Sequence, residues 1–306
     1  MIERGALRFE AGGLASLELP SFAATGAADG PHLALIAGIH GCEYSSIAAV
    51  TRFMRELDTG ELRGRITAVP VVNLSSFHAR SPFVVPEDGK NLNRCFPGSY
   101  EGTFSDALAR AVFDQVIAPA DVLVDLHGGD LVEALEPFVL YDESPLEERA
   151  KGIAVAFGFP YVVRSAPAEA PISGTTSSAA AAARLGDDCG LLEESAVRLH
   201  LDGLTNALRH LEMLPGEPAP PTTVVHHVDR FVWLRSTGGG WWETSVQAGG
   251  EASAGSLVGV VRDLYGEVVE EIVAPEDGVA LFVTTSAAVA ADGLLLGLGT
   301  GLMPVA

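Results

Sequence analysis

HLALIAGIHGCE, residues 32–43, opens as an apolar run of strand length over 32–37 and breaks at Gly38. The next stretch, SSIAAVTRFMREL at 45–57, places its apolar residues at helical spacing, with Ser45 or Ser46 as the expected helix cap. A buried strand that ends in a glycine turn and leads into a helix is the repeating unit of α/β proteins. Further apolar runs follow at 66–74 (ITAVPVVNL), 121–129 (DVLVDLHGG) and 136–142 (EPFVLYD). Helical patterns at 105–117, 146–158, 175–185 and 195–213 alternate with them, which predicts an α/β layer structure. The alanine-rich run at 179–183 reads as a helix face packed closely on the sheet.

The chain has 306 residues, of which 48% are hydrophobic, enough for about two domains with buried cores. PGEPAPP at 215–221 ends the last helix, since proline cannot continue one, and divides a domain at 1–214 from a second at 222–306. In the second, the short apolar runs VVHHVDRFVWLRS, SLVGVVRD, EVVEEIVAP and GVALFVTTS are separated by glycine turns, which predicts an all-β module. Gly297–Gly301 superficially matches a phosphate loop but lacks a following helix, so it reads as a terminal turn. Trp241 and Trp242 are expected to pack within this module.

Forty acidic residues against 19 basic ones give a formal charge of −21. Such a surface repels nucleic acid and anionic lipid, and neither is an expected partner. The opening residues offer no apolar stretch of signal-peptide length, and no later segment has the length of a membrane span, so the expected compartment is the cytoplasm. Cys42, Cys95 and Cys189 are odd in number and far apart, as reduced thiols would be. Homo-oligomerisation is compatible with the composition and not specified by it.

His40 and Glu43 are three apart at the start of a helix, which puts both on one side. An imidazole and a carboxylate are two of the three protein ligands of a His2Glu zinc site, whose fourth position stays open. His127, where the run at 122–124 ends, supplies the third, since α/β proteins build sites at the carboxyl ends of their strands. Between these turns, the segment 78–100 is too long for an ordinary connection and is read as a functional loop. In it Asn93 and Arg94 offer amide and guanidinium donors, and a guanidinium fork matches a carboxylate. Asp125 stands two residues before His127, where it either orients that imidazole or binds backbone amides. His226 and His227 are adjacent, point to opposite faces of a strand and read as linker or surface residues.

GIHGCE, DGKNLNRCFPG and DLHGG, in this order, resemble the succinylglutamate desuccinylase/aspartoacylase family, a relative of the zinc carboxypeptidases. The resemblance covers roughly residues 30 to 214. It implies a carboxypeptidase-like three-layer α/β domain with a mixed central sheet, and the tail resembles the small all-β, barrel-like C-terminal domain of bacterial members. It further implies hydrolysis of the amide of an N-acyl amino acid, a small-molecule substrate, with one zinc per chain on His40, Glu43 and His127. Asn93 and Arg94 match the residues that hold the substrate carboxylate.

The family's glutamate base matches Glu193, in Leu191-Leu192-Glu193. Glu194-Ser195-Ala196 then follow where glycines are usual, which makes Glu194 a second candidate. Arg80 is the arginine available to polarise the scissile carbonyl, a role that otherwise falls to zinc. The competing readings are a zinc carboxypeptidase acting on peptides and an inactive metal-binding relative. No Gly-x-Ser-x-Gly elbow is present for a serine hydrolase.

Overall fold

Leu33, Leu35 and Ala37 join one apolar cluster and Ala34 and Ile36 another, because side chains alternate between the two faces of a strand. This strand, buried on both sides, lies inside a mixed sheet in the computed structural model of the protein, which describes residues 1–10, 12–165, 184–186 and 194–305. In chain order the first strands are β1 (Ile2–Arg8), β2 (Glu18–Thr25), β3 (Ala28–Ala37), β4 (Arg63–Val69), β5 (Val122–His127), β6 (Glu133–Leu135), β7 (Phe138–Asp142), β8 (Tyr161–Ser165), β9 (Arg184–Gly186) and β10 (His226–Val228). They are followed by β11 (Arg230–Arg235), β12 (Gly240–Thr244), β13 (Glu251–Ala252), β14 (Leu257–Arg262), β15 (Val268–Val273), β16 (Gly278–Thr284), β17 (Ala288–Val289), β18 (Leu294–Thr300) and β19 (Met303–Pro304). The helices are α1 (Tyr44–Glu56), α2 (Leu74–Ala79), α3 (Phe104–Val112, extended by a π turn over Phe113–Ile117), α4 (Glu147–Phe157) and α5 (Glu194–His210).

The large sheet runs β1-β2-β4-β3-β5-β9-β7-β8-β10-β19. Strand β3 pairs parallel with β4 and β5, whereas β1, β2 and β19 pair antiparallel with their neighbours, as do β9 and β7. Helices α1, α4 and α5 bury Phe53, Ile153, Phe157, Val197 and Leu204 on one face. Helix α3 and its π turn bury Leu108, Val112 and Val116 on the other. Each such side chain contributes about 1.5–3 kcal/mol by leaving water, so this two-sided covering holds β3 and β5, and the residues at their ends, firmly in place. The fold is α/β, as the alternation of elements predicts, and its sheet is mixed, as the family resemblance implies.

The remaining strands form two smaller open sheets. One runs β11-β18-β16-β13 with β6 also on β16, and the other runs β15-β14-β12-β17. They pack face to face through Trp242, Val258, Val261 and Ile272 on one side and Ala280, Leu296 and Leu298 on the other. The all-β expectation for the tail holds in these sheets, and among the described residues neither closes into a barrel. Trp242 packs as expected, donating its indole N–H to the Thr284 carbonyl at 3.0 Å, whereas Trp241 is half exposed.

Strands cross between the two parts of the chain: β10 and β19 complete the large sheet, and β6 pairs with β16 through Leu135 opposite Phe282. His226 stacks on Tyr161 and His227 bonds to the Tyr141 hydroxyl at 2.8 Å, so the two do face opposite ways but are held within β10. Among the described residues no helix is long and apolar enough to cross a membrane.

Several local expectations give way. The run at 66–74 is not one strand: β4 stops at Val69, before Pro70, and Asn73 then caps α2 by accepting the Ser76 N–H at 3.1 Å. Glu43, not a serine, holds the N-cap position of α1. The helix expected at 175–185 lies outside the described residues except for 184 and 185, which are in β9. Gly297–Thr300 are strand and not turn, and Gly297 is there because a Cβ would stand 2.2 Å from the Phe231 ring.

Candidate active site

Because β3 and β5 are parallel neighbours, with Ala37 opposite Leu126, the chain leaves both strands at the same edge of the sheet. There Gly38 turns at φ 64°, a left-handed conformation that glycine adopts without strain. Gly41 passes so close to α2 that a Cβ would stand 2.2 Å from the Phe77 nitrogen. This turn delivers His40 and Glu43 toward His127, the last residue of β5. One ligand atom from each of His40, Glu43 and His127 lies within 4.8 Å of the others.

Both imidazoles are oriented from behind. His40 Nδ1 faces Glu43 Oε1 at 2.7 Å, while its Nε2 meets Asn91 Oδ1 at 3.1 Å. His127 Nδ1 faces Glu43 Oε2 at 3.0 Å, while its Nε2 meets Asp125 Oδ2 at 3.0 Å. Of the two readings open for Asp125, the contact to His127 is therefore present. Glu43 Oε2 is buried and makes no hydrogen bond of acceptable geometry, despite its short approach to His127.

Burial opposes ionisation of Glu43, but His127 and His40 outweigh it and hold the carboxyl at about 2. Burial likewise opposes a charged His127, and the carboxylates of Asp125 and Glu43 outweigh that and push the imidazole up to about 10. Two Nδ1 atoms and a carboxylate thus converge with both Nε2 atoms tied to oxygen acceptors. This is a donor set and an outer layer that suit a divalent metal such as zinc, with the orphaned carboxylate oxygen as one ligand.

Asn93 is buried, its backbone N–H donating to Asn91 Oδ1 at 2.8 Å and its side-chain amide standing 3.4 Å from His127 Nε2. Arg94 is exposed, with Nη1 donating to the Asn93 carbonyl at 2.7 Å. These residues line one cleft of about 650 Å³ with His40, Glu43 and His127. Arg80 is not brought into its lining: it stands exposed at the left-handed C-cap of α2. Glu193 lies outside the described residues. Glu194 opens α5 with an exposed side chain that pairs with Arg52 at 2.7 Å. Cys42 and Cys95 are free thiols, and Cys189 is outside the described residues.

Two neighbours of the site were not foreseen. Asp130 is fully buried, and its carboxylate accepts the Phe83 N–H at 2.8 Å and the Leu131 N–H at 2.7 Å. Burial and the charge of Glu43 raise its pKa. Phe83 is thereby held at φ 61°, unusual for a bulky residue, with its ring edge-on to His40 at 5.9 Å. DLHGGD shows the carboxylate in sequence, but nothing in it points to the loop it would grip. The second surprise is the far wall of the cleft, which the C-terminal strands supply with Trp233, Phe282, Thr284 and Leu294.

Residues 29–210 match the model of the succinylglutamate desuccinylase/aspartoacylase catalytic domain. The chain belongs to this family. The desuccinylase/aspartoacylase match takes in both histidine turns and the Asn93-Arg94 loop. Among curated proteins, the chain is 29% identical over 265 residues to the N-alpha-acetyl-L-2,4-diaminobutyric acid deacetylase of Halomonas elongata, covering 82% of this chain and 77% of the relative. Among solved structures it is similar to the product-bound ectoine utilization protein EutE (DoeB) of Ruegeria pomeroyi, at a TM-score of 0.85 and 23% identity over 98% and 95% of the two chains. A succinylglutamate desuccinylase/aspartoacylase from Rhodobacter sphaeroides aligns with a TM-score of 0.82 and 25% identity over 99% and 96%. These likenesses run through the C-terminal strands as well as the catalytic part.

Proposed function

We propose that the protein is a zinc-dependent hydrolase of the amide bond in N-acyl amino acids, acting in the cytoplasm with one zinc on His40, Glu43 and His127. The observation that carries this reading is the convergence of two Nδ1 atoms on Glu43 in the same cleft as Asn93 and Arg94. When bound, zinc supplies Lewis acidity, polarising the acyl carbonyl and bringing the pKa of water toward neutrality.

The chain's own groups do the rest. Asp125 and Asn91 hold the Nε2 protons of His127 and His40, fixing the tautomer that leaves each Nδ1 free to ligate. Arg94 and Asn93 bind the α-carboxylate and so position the amide for attack. Glu193 takes a proton from the attacking water and returns it to the leaving amine. Arg80 keeps the role that the family resemblance gives it, a cation near the scissile carbonyl, and its side chain has to swing inward from α2 to fill it.

In this reading residues 1–214 carry the chemistry, and 222–306, after the linker at 215–221, wall the cleft. That wall favours a small substrate over a peptide. The deacetylase relative, named for an N-acetyl amino acid, supports the same class. The test is amine release from N-acetyl, N-succinyl and N-formyl amino acids and from dipeptides, with zinc and with chelator. Chelator-sensitive release from acyl amino acids is expected. Release from dipeptides alone would move the assignment to a carboxypeptidase, and zinc uptake without turnover would make the chain an inactive relative.

A further inference from the structure

Across the cleft from the His40, Glu43 and His127 set, the wall is apolar and built on strands. Trp233 of β11 meets Phe282 of β16 edge-on at 5.8 Å and is backed by Phe231 at 4.4 Å. Leu135 of β6 is paired with Phe282 in the sheet, and Leu294 of β18 and Val289 of β17 complete the surface. Gly297 leaves the space that the Phe231 ring occupies, so the backing of Trp233 is close-packed. These positions are set by strand pairing and not by loops, which makes the wall a preformed one.

Three charged residues also line this cleft, Glu133, Arg235 and Asp292, and two of them are at its exposed edge. Glu133 Oε2 accepts the Asp130 N–H at 2.9 Å. Arg235 and Asp292 are both exposed, and Arg235 Nη1 donates to the Asp292 carbonyl at 2.8 Å. A charged substrate group pressed against the rings of Trp233 and Phe282 would lose water that the rings themselves cannot replace, the charged residues of the lining standing at the exposed edge. An aromatic or branched aliphatic group would gain a rigid aromatic surface of its own kind.

We propose that the cleft selects N-acyl amino acids carrying an uncharged, apolar group of aromatic or branched aliphatic size, seated against Trp233 and Phe282. This rests on the hydrolase reading above and narrows its substrate class. The group reaches the wall either as the amino-acid side chain or as the acyl chain, and the two sources are separable. A well-fitting apolar pocket discriminates by roughly 10- to 200-fold for each methylene-sized difference.

The experiment compares kcat/KM of the zinc-loaded protein for N-acetyl-L-phenylalanine, N-benzoylglycine, N-acetyl-L-aspartate and N-acetyl-L-2,4-diaminobutyrate. At least about a 10-fold preference for one of the ring-bearing substrates is expected, N-acetyl-L-phenylalanine identifying the side chain and N-benzoylglycine the acyl group. Preference for the aspartate or diaminobutyrate compound, or silence on all four with chelator-sensitive release from an N-succinyl or N-formyl amino acid, overturns this proposal while leaving the hydrolase reading intact, whereas silence on every acyl amino acid overturns the hydrolase reading.

Calorimetric titration of N-acetyl-L-phenylalanine and N-benzoylglycine into the metal-free protein tests the wall without turnover. Binding of either that Leu294→Asp weakens at least about 10-fold supports the proposal, with the milder Val289→Asn as a second probe should the first fail to fold. Equal affinity for the ring compounds and N-acetyl-L-aspartate overturns it.

Discussion

Replacing Asp88 by asparagine tests how the loop carrying Asn93 and Arg94 is tied to the rest of the molecule. Asp88 Oδ1 accepts the Ser105 hydroxyl at 2.7 Å and Oδ2 the Ser105 N–H at 2.8 Å, fastening the loop to the first turn of α3. Burial works to raise its pKa, but the bonds from Ser105, Thr103 and Lys90 outweigh it and lower the carboxyl from 3.8 to about 2. A depression of that size corresponds to about 2.5 kcal/mol of folding free energy. Because Asp88 is only partly buried, solvent screening reduces the expected value to about 1–1.5 kcal/mol.

The folded pKa lies below the unfolded one, so this stabilisation is complete above the ordinary carboxylate range near 4 and is lost as the pH falls through about 2. Urea unfolding of the wild-type and Asp88→Asn proteins, from neutral pH down to about pH 2.5, should show a gap of about 1–1.5 kcal/mol that narrows with acid. A gap that stays constant across the series, or one absent at neutral pH, would refute the reasoning.

Gly41→Ala forces a Cβ onto the backbone of α2, and it should cost about 1–3 kcal/mol in urea melts and abolish stoichiometric zinc uptake measured by elemental analysis. Asp130→Ala leaves the half-buried Phe83 N–H without its acceptor; a loss of about 1 kcal/mol is expected, and a melt indistinguishable from wild type would show that Phe83 is held by other means. Glu193→Gln should lower kcat by roughly 100-fold or more with zinc content unchanged, and retained turnover would remove Glu193 from the base role.

The legible part of the fold was the part where pattern and packing agree. The run at 32–37 is a strand because every second residue meets one of two helical layers, and the ligand candidates lie where that strand and β5 end. Elsewhere a stronger local demand prevailed. Pro70 and the Asn73 cap turn an apolar run into a strand followed by α2. Glu43 stands at the α1 N-cap with its carboxylate turned to His40 and His127, whereas Ser46 bonds back to the Glu43 carbonyl at 2.8 Å. Phe83 in a left-handed conformation has no signature in a bulky side chain, since what holds it, Asp130, is 47 residues away. The cleft wall was hidden for a related reason: Leu135 and Phe282 belong to opposite halves of the chain and meet only through strand pairing.

That exchange of strands makes the molecule a candidate for fragment complementation. A cut within 215–221 leaves a first piece without β10 and β19 at the border of its large sheet, and a second piece whose β16 has lost β6. Neither piece alone holds a complete cleft, because His40, Glu43 and His127 come from one and Trp233, Phe282 and Leu294 from the other. Mixed together, the two have a template for reassociation in the vacated strand edges, and activity that returns only on mixing would make the linker a natural place to install a switch.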